Sequence, residues 1–249
     1  MPNMASPIRC FLAIVSSLAT GGTGFSDPLD CKPIVSRLEV RYRTARTLQA
    51  KFLQRYTEYG HLIRVEAGTV YFRRPGKMRW EYESPEKNLF LVDGKTAWFY
   101  VPSDHTVTRV PAKESSDWRT PLALLAGKMK VSRICVKVAP ALDEKPEAPE
   151  DVVLSCELPA RQPKSEKLGS QETITQNSGS ETAVFFEVAP QTGQLARILV
   201  RQSGGVSLEF RFANWQFDPP LPELLFHFSP PMGVAVVNGE LPAENPAMK

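Results

Sequence analysis

Along most of the chain apolar and polar residues alternate one for one, the spacing of a strand with one dry face and one wet face. Leu48, Ala50, Phe52 and Tyr56 alternate with Gln49, Lys51 and Arg55. In VYFRRPGKMRWEY, residues 70–82, the even positions Val70, Phe72, Met78, Trp80 and Tyr82 form a strongly apolar row, while Arg73, Arg79 and Glu81 form the polar one. Pro75-Gly76 divides that stretch into two strands. Segments 89–92 and 96–101 flank Asp93-Gly94, a strong hairpin signal. Further strands are expected at 106–110, 131–138, 151–158, 184–188, 195–201 and 206–212; in the last, Val206, Leu208, Phe210 and Phe212 share one face.

Two segments depart from this period. Residues 33–46 read as a helix, with Pro33 in its first turn and Ile34, Leu38, Tyr42 and Ala45 down one side. In TPLALLAG, residues 120–127, Thr120 caps, Pro121 occupies the first turn and Gly127 stops, which predicts a short apolar helix carrying Leu122, Leu124 and Leu125. Segments 140–150 and 159–180 are rich in Pro, Glu, Lys, Ser and Gln and predict mobile polar loops, and 239–249 a flexible tail.

Ten or eleven strands, each wet on one side, amount to a mainly β protein built on one large antiparallel sheet. Such a sheet must curl or fold over to hide its dry face. A curl wider than about eight strands leaves a hollow. Phe52, Val70, Phe72, Met78, Trp80, Tyr82 and Phe210 are the expected lining, with the 120–127 helix as stopper. Arg74 is the exception, a cation in line with the apolar row. Either the register slips at Pro75-Gly76, or the side chain snorkels to the rim, or its guanidinium is buried and bonded to backbone carbonyls of the stopper.

Composition narrows the setting. The 249 residues are 42% hydrophobic, enough for a proper core, and a net charge of +3 with scattered Lys and Arg argues against nucleic acid as a partner. After Arg9 comes the apolar run 10–19 and then small residues 20–24, the order of a secretory signal, expected to span 1–26 with cleavage between Ala19 and Ser26. Asp30 before Cys31 and Arg9 before Cys10 argue against a lipid anchor. Cys31, Cys135 and Cys156 remain in the mature chain. A Cys135–Cys156 bridge across a hairpin is the favoured pairing, and three unpaired thiols the alternative.

Candidate chemistry is sparse. His61, His105 and His227 are far apart, and no metal-ligand spacing, phosphate loop or nucleophile motif occurs. Glu81 and Glu83 sit two apart on the solvated face, and Asp104-His105 lacks an activated serine. A binding protein with no metal and no cofactor is expected rather than an enzyme, with a secreted lipid-modifying enzyme as the rival from another class.

The run 68–85 followed by 91–102, with its RP, DGK and WFYVP at fixed distances, resembles the outer-membrane lipoprotein carrier (LolA) family. Residues 36–38, 48–54, 120–122 and 226–234 add weaker matches, so the resemblance spans about Cys31 to Val236. It implies an unclosed half-barrel of about eleven strands over 31–238, with short helices as a lid over a hydrophobic cavity. It also implies a periplasmic carrier whose cargo is acylated lipoproteins, taken from an inner-membrane lipoprotein-releasing ABC transporter and given to an outer-membrane receptor or acceptor membrane. Arg74 then falls on the family's lid latch, Met78 on a cavity position, and Leu122, Leu124 and Leu125 on the lid helix. The anchored outer-membrane receptor LolB, and a carrier or sensor of other lipids, share the fold and are the alternatives.

Overall fold

The computed structural model describes residues 30–112, 125, 127, 130–159 and 182–239. Helix α1 (Lys32–Thr44) leads into β1 (Thr47–Glu58), β2 (His61–Arg73), β3 (Lys77–Ser84), β4 (Leu89–Val92), β5 (Thr96–Val101) and β6 (Thr106–Pro111). A single helical turn, α2 (Val131–Ile134), precedes β7 (Lys137–Pro140), β8 (Val152–Glu157), β9 (Thr182–Ala189), β10 (Gln194–Gln202), β11 (Val206–Phe217) and β12 (Ala235–Asn238). The strands form one sheet in the order β12-β6-β5-β4-β3-β2-β1-β11-β10-β9-β8-β7, and its two ends do not meet.

Each predicted hairpin is antiparallel, and β4 and β5 coincide with the predicted segments. Two features differ from the sequence expectation. Residues 131–138 are not one strand, because 131–134 make a helical turn that buries Val131 and Ile134. The twelfth strand runs parallel to β6 with every residue exposed, so no alternation marks it; main-chain bonding adds it, beginning with Ala235 N–H to His105 O at 2.9 Å, and Arg109 Nε donates to Asn238 Oδ1 at 2.6 Å.

Core membership shows the curl. Ala97 and Val110 from β5 and β6 share one apolar cluster with Leu154 and Phe186 from β8 and β9, and with Ile34 and Leu38 of α1. In a flat sheet β6 and β8 would stand roughly 40 Å apart at the usual ~4.8 Å per strand. The sheet therefore wraps, with α1 against its inner face. Tyr42 ties the helix there: its hydroxyl accepts the Leu195 N–H at 3.0 Å, its ring packs edge-on to Trp215 at 5.1 Å, and burial pushes its phenol pKa well above the ordinary value.

The outer face is polar and, over β9–β11, laced with charge. Arg197 bonds Glu187 at 2.6 Å and Glu209 at 3.5 Å, and its third nitrogen donates to the Lys145 carbonyl at 2.9 Å. Glu187 also accepts the backbone N–H of Glu147 at 2.6 Å, and Arg211 reaches Glu147 at 2.8 Å. The segment 140–150, whose composition predicts a mobile loop, is thus held down. Its fastenings are ionic and main-chain, which hydrophobicity does not register. On the same wing Cys135, just before β7, is bonded to Cys156 of β8. Cys31 is buried and not part of this bridge, its thiol pKa raised by burial and then by Asp30. The expected signal, the 159–180 loop apart from its first residue, and the tail beyond 239 lie outside the described residues.

Candidate functional site

Strand pairing assembles the inner face. In β1 and β2 Phe52 lies opposite Gly68 and Ala50 opposite Val70; in β2 and β3 Val70 faces Trp80 and Phe72 faces Met78; across β1 and β11 Phe52 faces Phe212 and Gln54 faces Phe210. Directly opposed residues share a face, so the register brings Phe52, Val70, Phe72, Met78, Trp80, Tyr82 and Phe210 together, all buried in the one core cluster. Trp80 is the hub. Its ring meets Phe52 at 4.7 Å, Phe210 at 5.4 Å, and Phe72 and Phe212 at 6.2 Å, each edge-on, the arrangement that ring quadrupoles favour.

The hairpin register runs through the turn without a slip, pairing Arg73 with Lys77, so Arg74 sits in the turn beyond the strand end. Its main-chain N–H donates to the Arg46 carbonyl at 3.0 Å. The side chain reaches Gly127. Gly127 lies against its guanidinium so closely that a Cβ there would collide with Cζ and Nη1, and φ of +73° independently favours glycine. Nε and Nη2 of Arg74 are buried and reach no hydrogen-bond acceptor among the described residues. Burial, then the neighbouring charge of Arg43, push the guanidinium pKa below its ordinary value, with Asp218 acting the other way. Arg74 is thus a poorly compensated cation at the rim of an apolar floor. Of the predicted lid residues, Leu125 is buried in the same core cluster, whereas Leu122 and Leu124 lie outside the described residues.

Sequence reasoning passed over two inward residues. Gln54 and Glu66 lie opposite each other and are buried on the same face as Phe52 and Phe210. Tyr82 Oη donates to Gln54 Oε1 at 3.1 Å, Gln54 Nε2 donates to Glu66 Oε2 at 3.1 Å, and the Arg64 guanidinium stands 3.4 Å from Glu66. Parity alone would have placed them inside, but their polarity suggests the wet face.

The remaining chemistry-bearing residues do not converge. Glu81 is engaged by Arg79 at 2.6 Å and Glu83 by Lys51 at 3.1 Å and Thr69 at 2.6 Å; the hydrogen bonds from Thr69 and Lys51 hold the Glu83 carboxyl below its ordinary value. His61 opens β2, His105 occupies a left-handed turn, and His227 follows a single 3-10 turn. Among the described residues no three His, Cys, Asp or Glu side chains gather as a metal site. A surface groove of about 640 Å³ runs along the side of α1 away from Leu38, lined by Val40, Arg41, Gln191 and Phe217 among others, and is separate from the aromatic floor.

An aromatic floor, wrapped by one open sheet and sharing its apolar cluster with Ile34 and Leu38 of α1, is suited to hydrocarbon chains. Comparison with known proteins points the same way. Residues 43–144 match the family model for the outer membrane lipoprotein carrier protein LolA. The outer-membrane lipoprotein carrier protein of Methylococcus capsulatus is 32% identical over 220 residues, covering 86% of this chain and 91% of the relative. The chain belongs to this family. The carrier protein of Chromobacterium violaceum is 31% identical over 207 residues, covering 83% of this chain and 88% of its own. LolA proteins are carriers, and the aromatic floor with Arg74 at its edge lies within the part of the chain that the LolA model matches, apart from Phe210 and Phe212.

Proposed function

We propose that this protein binds the acyl chains of lipoproteins against its inner aromatic floor, beneath the segment around Leu125 and Gly127, and carries them through the periplasm to the outer membrane. The observation that supports this most is the Trp80-centred floor bordered by a half-buried, incompletely bonded Arg74. Each acyl methylene exposed to water costs about 0.8 kcal/mol, so a multiply acylated protein is stranded at its membrane by tens of kcal/mol unless a carrier shields it. The floor offers that shielding. It must also let go, and Arg74 is the device for release: a desolvated guanidinium beside hydrocarbon limits how tightly the chains are held, and its packing on Gly127 favours return of the cover. Residues 1–26 act as the cleaved signal, an inner-membrane ABC transporter supplies the cargo, and an outer-membrane receptor or the membrane itself accepts it.

Displacement of a hydrophobic fluorescent probe tests the reading. Bound probe is expected to be released by a triacylated peptide and not by the same peptide without its acyl chains. Equal release by both, or by neither, contradicts acyl-chain binding.

A further inference from the structure

Among the described residues no acceptor reaches the indole N–H of Trp80, although Trp80 is only 1% exposed and stands at the centre of the floor. The other described tryptophans are served: Trp98 Nε1 donates to Asp93 at 3.2 Å and Trp215 Nε1 to the Leu195 carbonyl at 2.8 Å. A stranded donor is unfavourable, and phenylalanine would supply the same edge-on packing without one. Two residues further along the same face of β3, Tyr82 begins the polar lane through Gln54 to Glu66 and Arg64. The inner face therefore changes character along β3, from Met78, through a lone donor at Trp80, to a hydrogen-bonded polar end.

We propose that Trp80 Nε1 donates to the carbonyl oxygen of the ester or amide that joins an acyl chain to its head group, so that the floor selects acyl chains over plain alkyl chains. This rests on the carrier reading above and adds the linkage that is recognised. The hydrocarbon lies along the aromatic rings, the carbonyl meets the indole N–H, and the head group is set down toward Tyr82, Gln54 and Glu66. Such a ligand enters as the rings around Trp80 part. An ether-linked chain of equal length fills the same space and leaves the donor stranded, which is the basis of discrimination.

The test pairs a fluorescent glycerol diester with the dialkyl ether of the same chain length. The wild-type protein is expected to bind the ester about fivefold or more tightly, the worth of one ordinary hydrogen bond. Trp80→Phe is expected to bind both alike, the ester-to-ether ratio falling to about one whatever the change in overall affinity. Equal affinities in the wild type, or a preference that survives in Trp80→Phe, overturn the inference while leaving the carrier reading standing. Failure of the wild type to bind either probe overturns both. A second measurement needs no variant to fold: in the nitrogen-15 spectrum of the wild type, an indole N–H proton is expected to move downfield with the ester and not with the ether. Identical movement with both probes overturns the inference.

Discussion

Two arginines of the same sheet meet opposite fates. Arg197, on the outer face of β10, has a carboxylate at 2.6 Å, a second at 3.5 Å and a carbonyl at 2.9 Å, one partner for each nitrogen. Arg74, at the rim of the inner face, has two buried nitrogens with none. Where a cation fastens one segment to another, the fold surrounds it with acceptors, and segment 140–150 is bonded to β9–β11 in that way. A cation left short of acceptors gains by any motion that lets water or a new partner reach it. On the proposed reading the outer face is built to stay and the inner rim to change.

The strongest challenge to this contrast is removal of Arg197. Arg197→Leu leaves the Glu187 carboxylate, itself 1% exposed, with main-chain N–H partners but without the counter-charge of Arg197, and is expected to cost about 3–5 kcal/mol in urea unfolding. Pairing it with Glu187→Leu is expected to restore most of the loss. A single-variant loss below about 1 kcal/mol would mean that the outer network is no fastening at all.

The contact at the rim can be isolated by a double-mutant cycle. Gly127→Ala, at positive φ and against the guanidinium, is expected to cost about 1–2 kcal/mol. In an Arg74→Ala background the collision is relieved, and the two changes are expected to couple by about 0.5 kcal/mol or more. Strict additivity would show that Arg74 does not hold the segment at Gly127.

A smaller effect comes from Asp93, where the pattern of Arg197 recurs with the charge reversed. Burial pushes its carboxyl pKa up, but the N–H groups of Thr96 and Lys95 at 2.8 Å, the Trp98 indole and the charge of Lys77 together hold it below the ordinary value. A folded-state pKa below the unfolded one contributes stability in full above the unfolded value of about 3.9 and loses it as pH falls through the folded value. Asp93→Asn is therefore expected to be less stable than the wild type at neutral pH by about 1 kcal/mol, with the gap closing in acid. A gap that stays constant with pH would remove the charge from the explanation.

The contrast also marks what could be read from residue order. β1, β3 and β11 announce themselves because a strand half in water imposes alternation on its side chains, and β4–β5 because Asp93-Gly94 suits the turn whose donors Asp93 then receives. The fastening of 140–150 is silent, since Arg197 draws its partners from 10, 12 and 52 residues away. β12 is silent because it has no dry face. Arg74 stands out as a charge in an apolar row, yet its contact with Gly127 is long-range and no pattern predicts it. Gln54 and Glu66 follow the row but pair with each other, so their polarity disguises their place.

The most direct measurement loads purified protein with a triacylated peptide and follows its transfer to lipid vesicles, wild type against Arg74→Leu. Because Nε and Nη2 of Arg74 have no acceptor among the described residues to lose, the variant is expected to unfold within about 1 kcal/mol of the wild type. Leucine extends the apolar floor and removes the charge that limits chain binding, so transfer is expected to slow several-fold. Unchanged or faster transfer from a folded variant would contradict a rim built for release.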